Sequence, residues 1–200
     1  ISYDLAEVQS QGNEWLFLGN LSTMMDETLY QSVLDYKMFN DLCMILVCMM
    51  GDAFEQEIYT LEDPTSLTPE ECNAIMEQVC EAYGGVDMIG EYALDIQEYW
   101  RMVVVENPVY YISYAVSLFP SIDLYFVALD DWDNAIEMYR QITSDITGED
   151  TFLAVLDLCK TNSETLEEAG LASPFEMDLY EKLMTHYDME IPEEESEKAA

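Results

Sequence analysis

Nine consecutive apolar residues, Leu42-Cys43-Met44-Ile45-Leu46-Val47-Cys48-Met49-Met50, sit in the middle of an otherwise strongly acidic chain. Such a run must be taken out of water, yet it is about ten residues short of a bilayer span. It reads as a buried core helix. The flanks agree with this: Leu29-Tyr30-Gln31-Ser32-Val33-Leu34-Asp35-Tyr36 leads into the run, and Ala53-Phe54-Glu55-Gln56-Glu57-Ile58-Tyr59 extends it. Gly51 weakens that helix slightly, because glycine gives up backbone entropy there. A chain of 200 residues, half of them hydrophobic and 12% aromatic, can bury a sizeable core and is not a disordered acidic polymer.

Helical signals continue along the sequence. Leu61 to Ser66 contains Pro64 and reads as a loop. Thr68-Pro69-Glu70-Glu71 then opens a helix, with Thr68 as N-cap, Pro69 in the first helical position and acids against the helix dipole. Its apolar face is expected at Ala74, Ile75, Val79 and Ala82, and Gly84-Gly85 should stop it. A helix is expected from Gly90 to about Trp100, and the β-branched run Met102 to Val105 reads as a strand or an extended link. Val109 to Leu118 reads as helical, with Pro120 ending or kinking it.

Asp133 is the expected N-cap of a helix over Ala135 to Tyr139. The acidic cluster at Asp130, Asp131 and Asp133 lacks the glycine and ligand spacing of a calcium loop. Further helices are expected over Thr151 to Lys160 and from Ser163 to Gly170, with another close to the C-terminus. The expected fold is an all-α multi-helix array, one helical domain over 1–190 with a charged tail at 191–200.

Forty-two acids against six Lys and Arg give a net charge of −36, which opposes nucleic acid and anionic membrane surfaces as partners. Such a surface favours solubility and is compatible with cationic peptides. The five cysteines, Cys43, Cys48, Cys72, Cys80 and Cys159, form no Cys-x-x-Cys and have one histidine, His186, in the whole chain to join them. They read as free thiols of a reducing cytoplasm rather than a zinc framework.

Candidate chemistry lies near the N-terminus, in Asp4-Leu5-Ala6-Glu7-Val8-Gln9-Ser10-Gln11-Gly12-Asn13-Glu14-Trp15. On a helix, Glu7, Ser10, Gln11 and Glu14 form one polar stripe, while Leu5, Val8, Trp15 and Leu16 occupy other faces. A solvated edge and a polar line facing a cleft both fit this spacing. The pattern Asp-x-x-Glu-x-x-Ser-Gln-x-x-Glu resembles the helix that supplies the third zinc ligand in the oligoendopeptidase F and thimet-oligopeptidase families. The resemblance implies Glu7 as that ligand, with Glu14 a further acidic residue two turns along.

The likeness extends to Phe54-Glu55, Leu67-Thr68-Pro69-Glu70, Tyr83-Gly84 and the segment Gly170-Leu171-Ala172-Ser173-Pro174-Phe175. It also takes in Pro108-Val109-Tyr110-Tyr111-Ile112-Ser113-Tyr114-Ala115, which resembles a Pro-Phe-Tyr-x-Tyr-x-Tyr-Ala segment of oligoendopeptidase F. The resemblance implies that Tyr114 assists the oxyanion formed when zinc-activated water attacks a peptide carbonyl. Tyr110 and Tyr111 would contact the substrate. The chain departs from the family in lacking a histidine before Pro108 and in carrying Ile112 where the family has a tyrosine.

The other two zinc ligands of those families come from a His-Glu-x-x-His helix, and this sequence has no such motif. The expectation is therefore the C-terminal part of a zinc metallopeptidase acting on short peptides, itself inactive and holding no zinc. Its partners would be short peptides, the missing N-terminal half, and copies of itself through exposed apolar surface. The rival expectation is a non-catalytic helical protein that binds peptides or other proteins. No Gly-x-Ser-x-Gly elbow or cysteine–histidine pairing points to a different enzyme.

Overall fold

The computed structural model describes residues 3–84, 95–144 and 152 of the chain. Every regular element among them is helical, so the all-α expectation holds. The chain divides into two compact units. One unit, central in the sequence, takes in Thr28–Val116; the other, outer in the sequence, takes in Ile1–Glu27 with the described residues of Ser117–Ala200.

The outer unit begins with α1, Tyr3–Leu21, whose buried positions include Leu5, Val8, Trp15 and Leu16. These apolar positions are the ones the sequence pattern places off the polar stripe. Leu5, Val8 and Leu16 pack with Leu124 and Val127 of α5, Ile112–Asp130, and with Ala135, Met138 and Ile142 of α6, Trp132–Ser144, while the Trp15 ring meets that of Tyr125. Gly12 makes room for this: a Cβ there would sit 3.2 Å from Leu124 Cδ1 and 3.4 Å from the Tyr139 ring.

Two local expectations are corrected in this unit. Of the two outcomes expected of Pro120, ending the helix is overturned: α5 runs on for ten residues to Asp130. A proline inside a helix costs about 3 kcal/mol. Burial of Leu118, Ile122 and Leu124 around it offsets that cost. The N-cap of α6 is Asp131 rather than Asp133. Its Oδ1 accepts the Asn134 N–H at 3.0 Å, and Asp133 falls in the first turn. The tetrad of acids and Trp132 offers several cap registers, and the short turn after Asp130 selects the earlier one.

In the central unit, α2 spans Glu27–Tyr59 and carries the apolar run as expected. It passes through Gly51, where a Cβ would lie 3.2 Å from Tyr99 Oη and 3.3 Å from Val103 Cγ2. Close approach of a neighbouring segment explains the glycine. A short 3₁₀ turn at Pro64–Ser66 leads to α3, Pro69–Ala82. Its N-terminus is a complete capping box: the Glu71 N–H donates to Thr68 Oγ1, and Glu71 Oε2 accepts the Thr68 N–H at 2.8 Å. The helix stops at Gly84, whose φ of 65° suits glycine.

The buried face of α3 is Met76, Val79 and Cys80, whereas Ala74 and Ala82 are exposed. Two apolar stripes coexist in this sequence, and packing chooses the one with the larger side chains. α4, Ile96–Trp100, is capped by Asp95, which accepts the Glu98 N–H at 2.7 Å.

The run Met102 to Val105 is neither strand nor link: Arg101–Glu106 is a π-helical turn. A strand needs a partner, and among the described residues there is none. Val103 is instead fully buried in the central core, beside Gly51. The expected helices after Ser144, Cys159, the Gly170 to Phe175 turn, His186 and the tail at 191–200 lie outside the described residues.

Candidate functional site

Three tyrosines gather at the start of α5. The helix begins at Ile112 rather than Val109, because Val109 has a φ of 60°, outside helical space. Pro108 and Val109 form a tight turn in which the Tyr110 N–H donates to the Asn107 carbonyl at 3.3 Å. A positive φ after proline is the geometry of a type II turn, where glycine is usual. Valine there stores strain of about 1–3 kcal/mol.

At this turn the Tyr110 ring meets those of Tyr111 and Tyr114 edge to face, and the Tyr111 and Tyr114 rings are tilted against each other. Centroid separations are 5.1 Å for Tyr110–Tyr114 and 6.0 Å for each of the other two pairs. The Tyr110 and Tyr114 hydroxyls lie 3.0 Å apart, within hydrogen-bond reach. All three are half-buried, with polar tips available to hold a proton at a defined place. Burial, followed by the nearby Tyr114, Cys48 and Glu106, pushes the Tyr111 phenol above its ordinary range. It stays protonated, and a protonated phenol can donate to an oxyanion.

Glu55, which the sequence pattern did not single out as a site residue, holds this turn from α2. It is one of the buried acids of the chain, 3% exposed, and its Oε1 accepts the Val109 N–H at 2.7 Å. Tyr59 Oη also donates to it, at 3.3 Å. Burial raises the Glu55 carboxyl, Asp52 adds to the rise, and the two hydrogen bonds work against it. The available signal was an acid directly after Phe54 at the end of an apolar stretch, but nothing local names its partner 54 residues on.

A carboxyl raised in the folded state contributes stability that is full below the ordinary carboxylate range. That contribution is lost as pH rises through the raised value. The urea midpoint of the unaltered chain should therefore fall more steeply than that of Glu55→Gln as pH rises above the ordinary carboxylate range. Parallel curves would assign the buried carboxyl no such role.

Glu7 and Glu14 belong to the outer unit, on α1 as expected. Glu7 is half-buried and Glu14 exposed. The Ser10 hydroxyl donates to Glu7 Oε2 at 2.9 Å, and the Ser117 hydroxyl donates to Gln11 Oε1 at 2.6 Å. Seven residues of helix rise about 10 Å, so Glu7 and Glu14 cannot serve one ion. Among the described residues no three His, Cys, Asp or Glu side chains come together in a way that could hold a metal. One carboxylate does not make the three-ligand set of a catalytic zinc.

Among the described cysteines, burial pushes the Cys48 thiol up to about 12 and raises those of Cys72 and Cys80. A groove between α2 and α3, lined by Ala53, Glu57, Ile75, Gln78, Val79 and Tyr83, includes none of Glu7, Glu14, Tyr110, Tyr111 and Tyr114.

No protein-family model, curated protein or solved structure matches the chain.

Proposed function

We propose that this chain is the C-terminal part of the catalytic domain of a zinc-dependent oligopeptidase acting on short peptides. The observation that carries the reading is the cluster of Tyr110, Tyr111 and Tyr114, with paired hydroxyls 3.0 Å apart at a turn entering α5. Tyr114 is the proposed donor to the peptide oxyanion, and Tyr110 and Tyr111 the proposed substrate contacts. Glu7, half-buried on α1, is the proposed third zinc ligand, with the other two on a His-Glu-x-x-His helix outside this sequence. A π-helical turn leading into the tyrosine segment supports the reading, because such turns recur at functional sites.

The test begins with the gene. A His-Glu-x-x-His roughly 20 residues before Glu7 is expected, and an uninterrupted frame without it would overturn the proposal. In the protein carrying that motif, Tyr114→Phe should lower kcat by about 10²-fold with KM little changed. Chelator-sensitive cleavage of peptides by the 200-residue chain alone would sink the division of ligands proposed here.

A second reading, a non-catalytic helical protein that binds peptides or other proteins, is favoured by the exposed Leu29, Tyr36, Phe39 and Met49 of α2. An intact gene lacking the histidine motif would select it.

A further inference from the structure

Val109 is a β-branched residue at positive φ, which side chains of its kind avoid. It is the one non-glycine residue in that conformation among the described residues. Its side chain is 61% exposed, so packing of that side chain does not hold the conformation in place. What reaches the backbone is Glu55 Oε1, 2.7 Å from the Val109 nitrogen.

Two further groups that act on the Glu55 carboxyl, Tyr59 and Asp52, lie on its own helix. Tyr59 one turn on donates to it, and Asp52 one turn back repels its charge. Neither explains why a buried carboxylate should be kept there, since an apolar residue would leave both satisfied by water. The Val109 N–H is different. It is fixed by a turn across which Tyr110, Tyr111 and Tyr114 take their places.

We propose that Glu55 is a positioning residue for the tyrosine cluster: by accepting the Val109 N–H it holds the strained turn that sets where Tyr110, Tyr111 and Tyr114 stand. This rests on the peptidase reading for its consequence in catalysis, but not for its structural content. A loosened turn lets the chain escape positive φ at Val109, and the three rings then lose their mutual register. Glycine at 109 adopts positive φ without strain, so it should remove the need for Glu55.

The test uses tyrosine labelled at the ring carbons, observed by NMR in the full chain. Glu55→Gln keeps a carbonyl acceptor and should leave the Tyr110 and Tyr114 ring signals in place. Glu55→Leu should move them while leaving the Tyr125 signal of the outer unit unchanged. Adding Val109→Gly to Glu55→Leu should bring them back, which a general loosening of the core would not do. Unmoved signals in Glu55→Leu, or no recovery in the double variant, would overturn the proposal.

Should Glu55→Leu fail to fold, amide exchange in the unaltered chain decides. The Val109 N–H should exchange on the order of 10²-fold more slowly than a free peptide, and unprotected exchange would overturn the assignment. A second arm measures binding of a fluorescein-labelled hexapeptide of alanine and lysine. Glu55→Leu should weaken it about tenfold and the double variant restore it. Failure of every form to bind counts against the peptidase reading, and the ring signals still decide the role of Glu55.

Discussion

Trp15→Ala is expected to destabilise the chain by about 3–5 kcal/mol, the range for deleting a fully buried large aromatic side chain. The indole is completely buried on α1 and stands 5.4 Å from the Tyr125 ring, at an interplanar angle of 56°. Two losses add: the apolar surface of the indole returns to water in the reference state, and the space beside Tyr125 is left unfilled. Alanine has the better helix propensity, but that returns well under 1 kcal/mol. Most domains hold only about 5–15 kcal/mol in total, so the variant should sit near its unfolding threshold. The urea midpoint should drop by about 1–3 M. A drop corresponding to less than about 1 kcal/mol would mean that the ring is not packed as described.

Phe54→Ala should cost a similar amount, about 3–5 kcal/mol, in the central unit. Phe54 is fully buried among Met50, Ile58, Met76 and Val79, and its ring lies 6.4 Å from that of Trp100. Its position adds a second consequence. Phe54 precedes Glu55, so a cavity there frees the segment of α2 that reaches the Val109 turn. Near-ultraviolet circular dichroism of the tyrosines should weaken before the helical signal is lost. Loss of both signals together would show that the segment around Glu55 does not loosen on its own.

The helices were largely legible because their signals are local. Thr68, Pro69 and Glu71 lie within four residues and build a cap that no distant contact has to complete. The apolar run around Ile45 and Val47 could only be a core helix at that length. Legibility failed where tertiary contacts outvote propensity. Met102 to Val105 reads as a strand or an extended link, yet Val103 is buried in the core beside Gly51, and the backbone there is a π-helical turn. Pro120 reads as a stop or a kink, and burial on both sides carries the helix through it.

The candidate site divides in the same way. Helical spacing puts Tyr110 and Tyr114 on one face; the two do meet, but with Tyr110 in the turn before α5 rather than on the helix. Glu55 meets Val109 across 54 residues, and no periodicity encodes that pairing. The strained φ was also hidden, because valine after proline carries no sequence mark of a left-handed turn.

The four described cysteines, Cys43, Cys48, Cys72 and Cys80, all fall within Thr28–Val116. Alkylation of the two most deeply placed, Cys48 and Cys80, must wait for that unit to open and for a thiolate to form. With Cys159 changed to serine, mass-resolved labelling becomes a clock that times the breathing of one half of the protein and ignores the other.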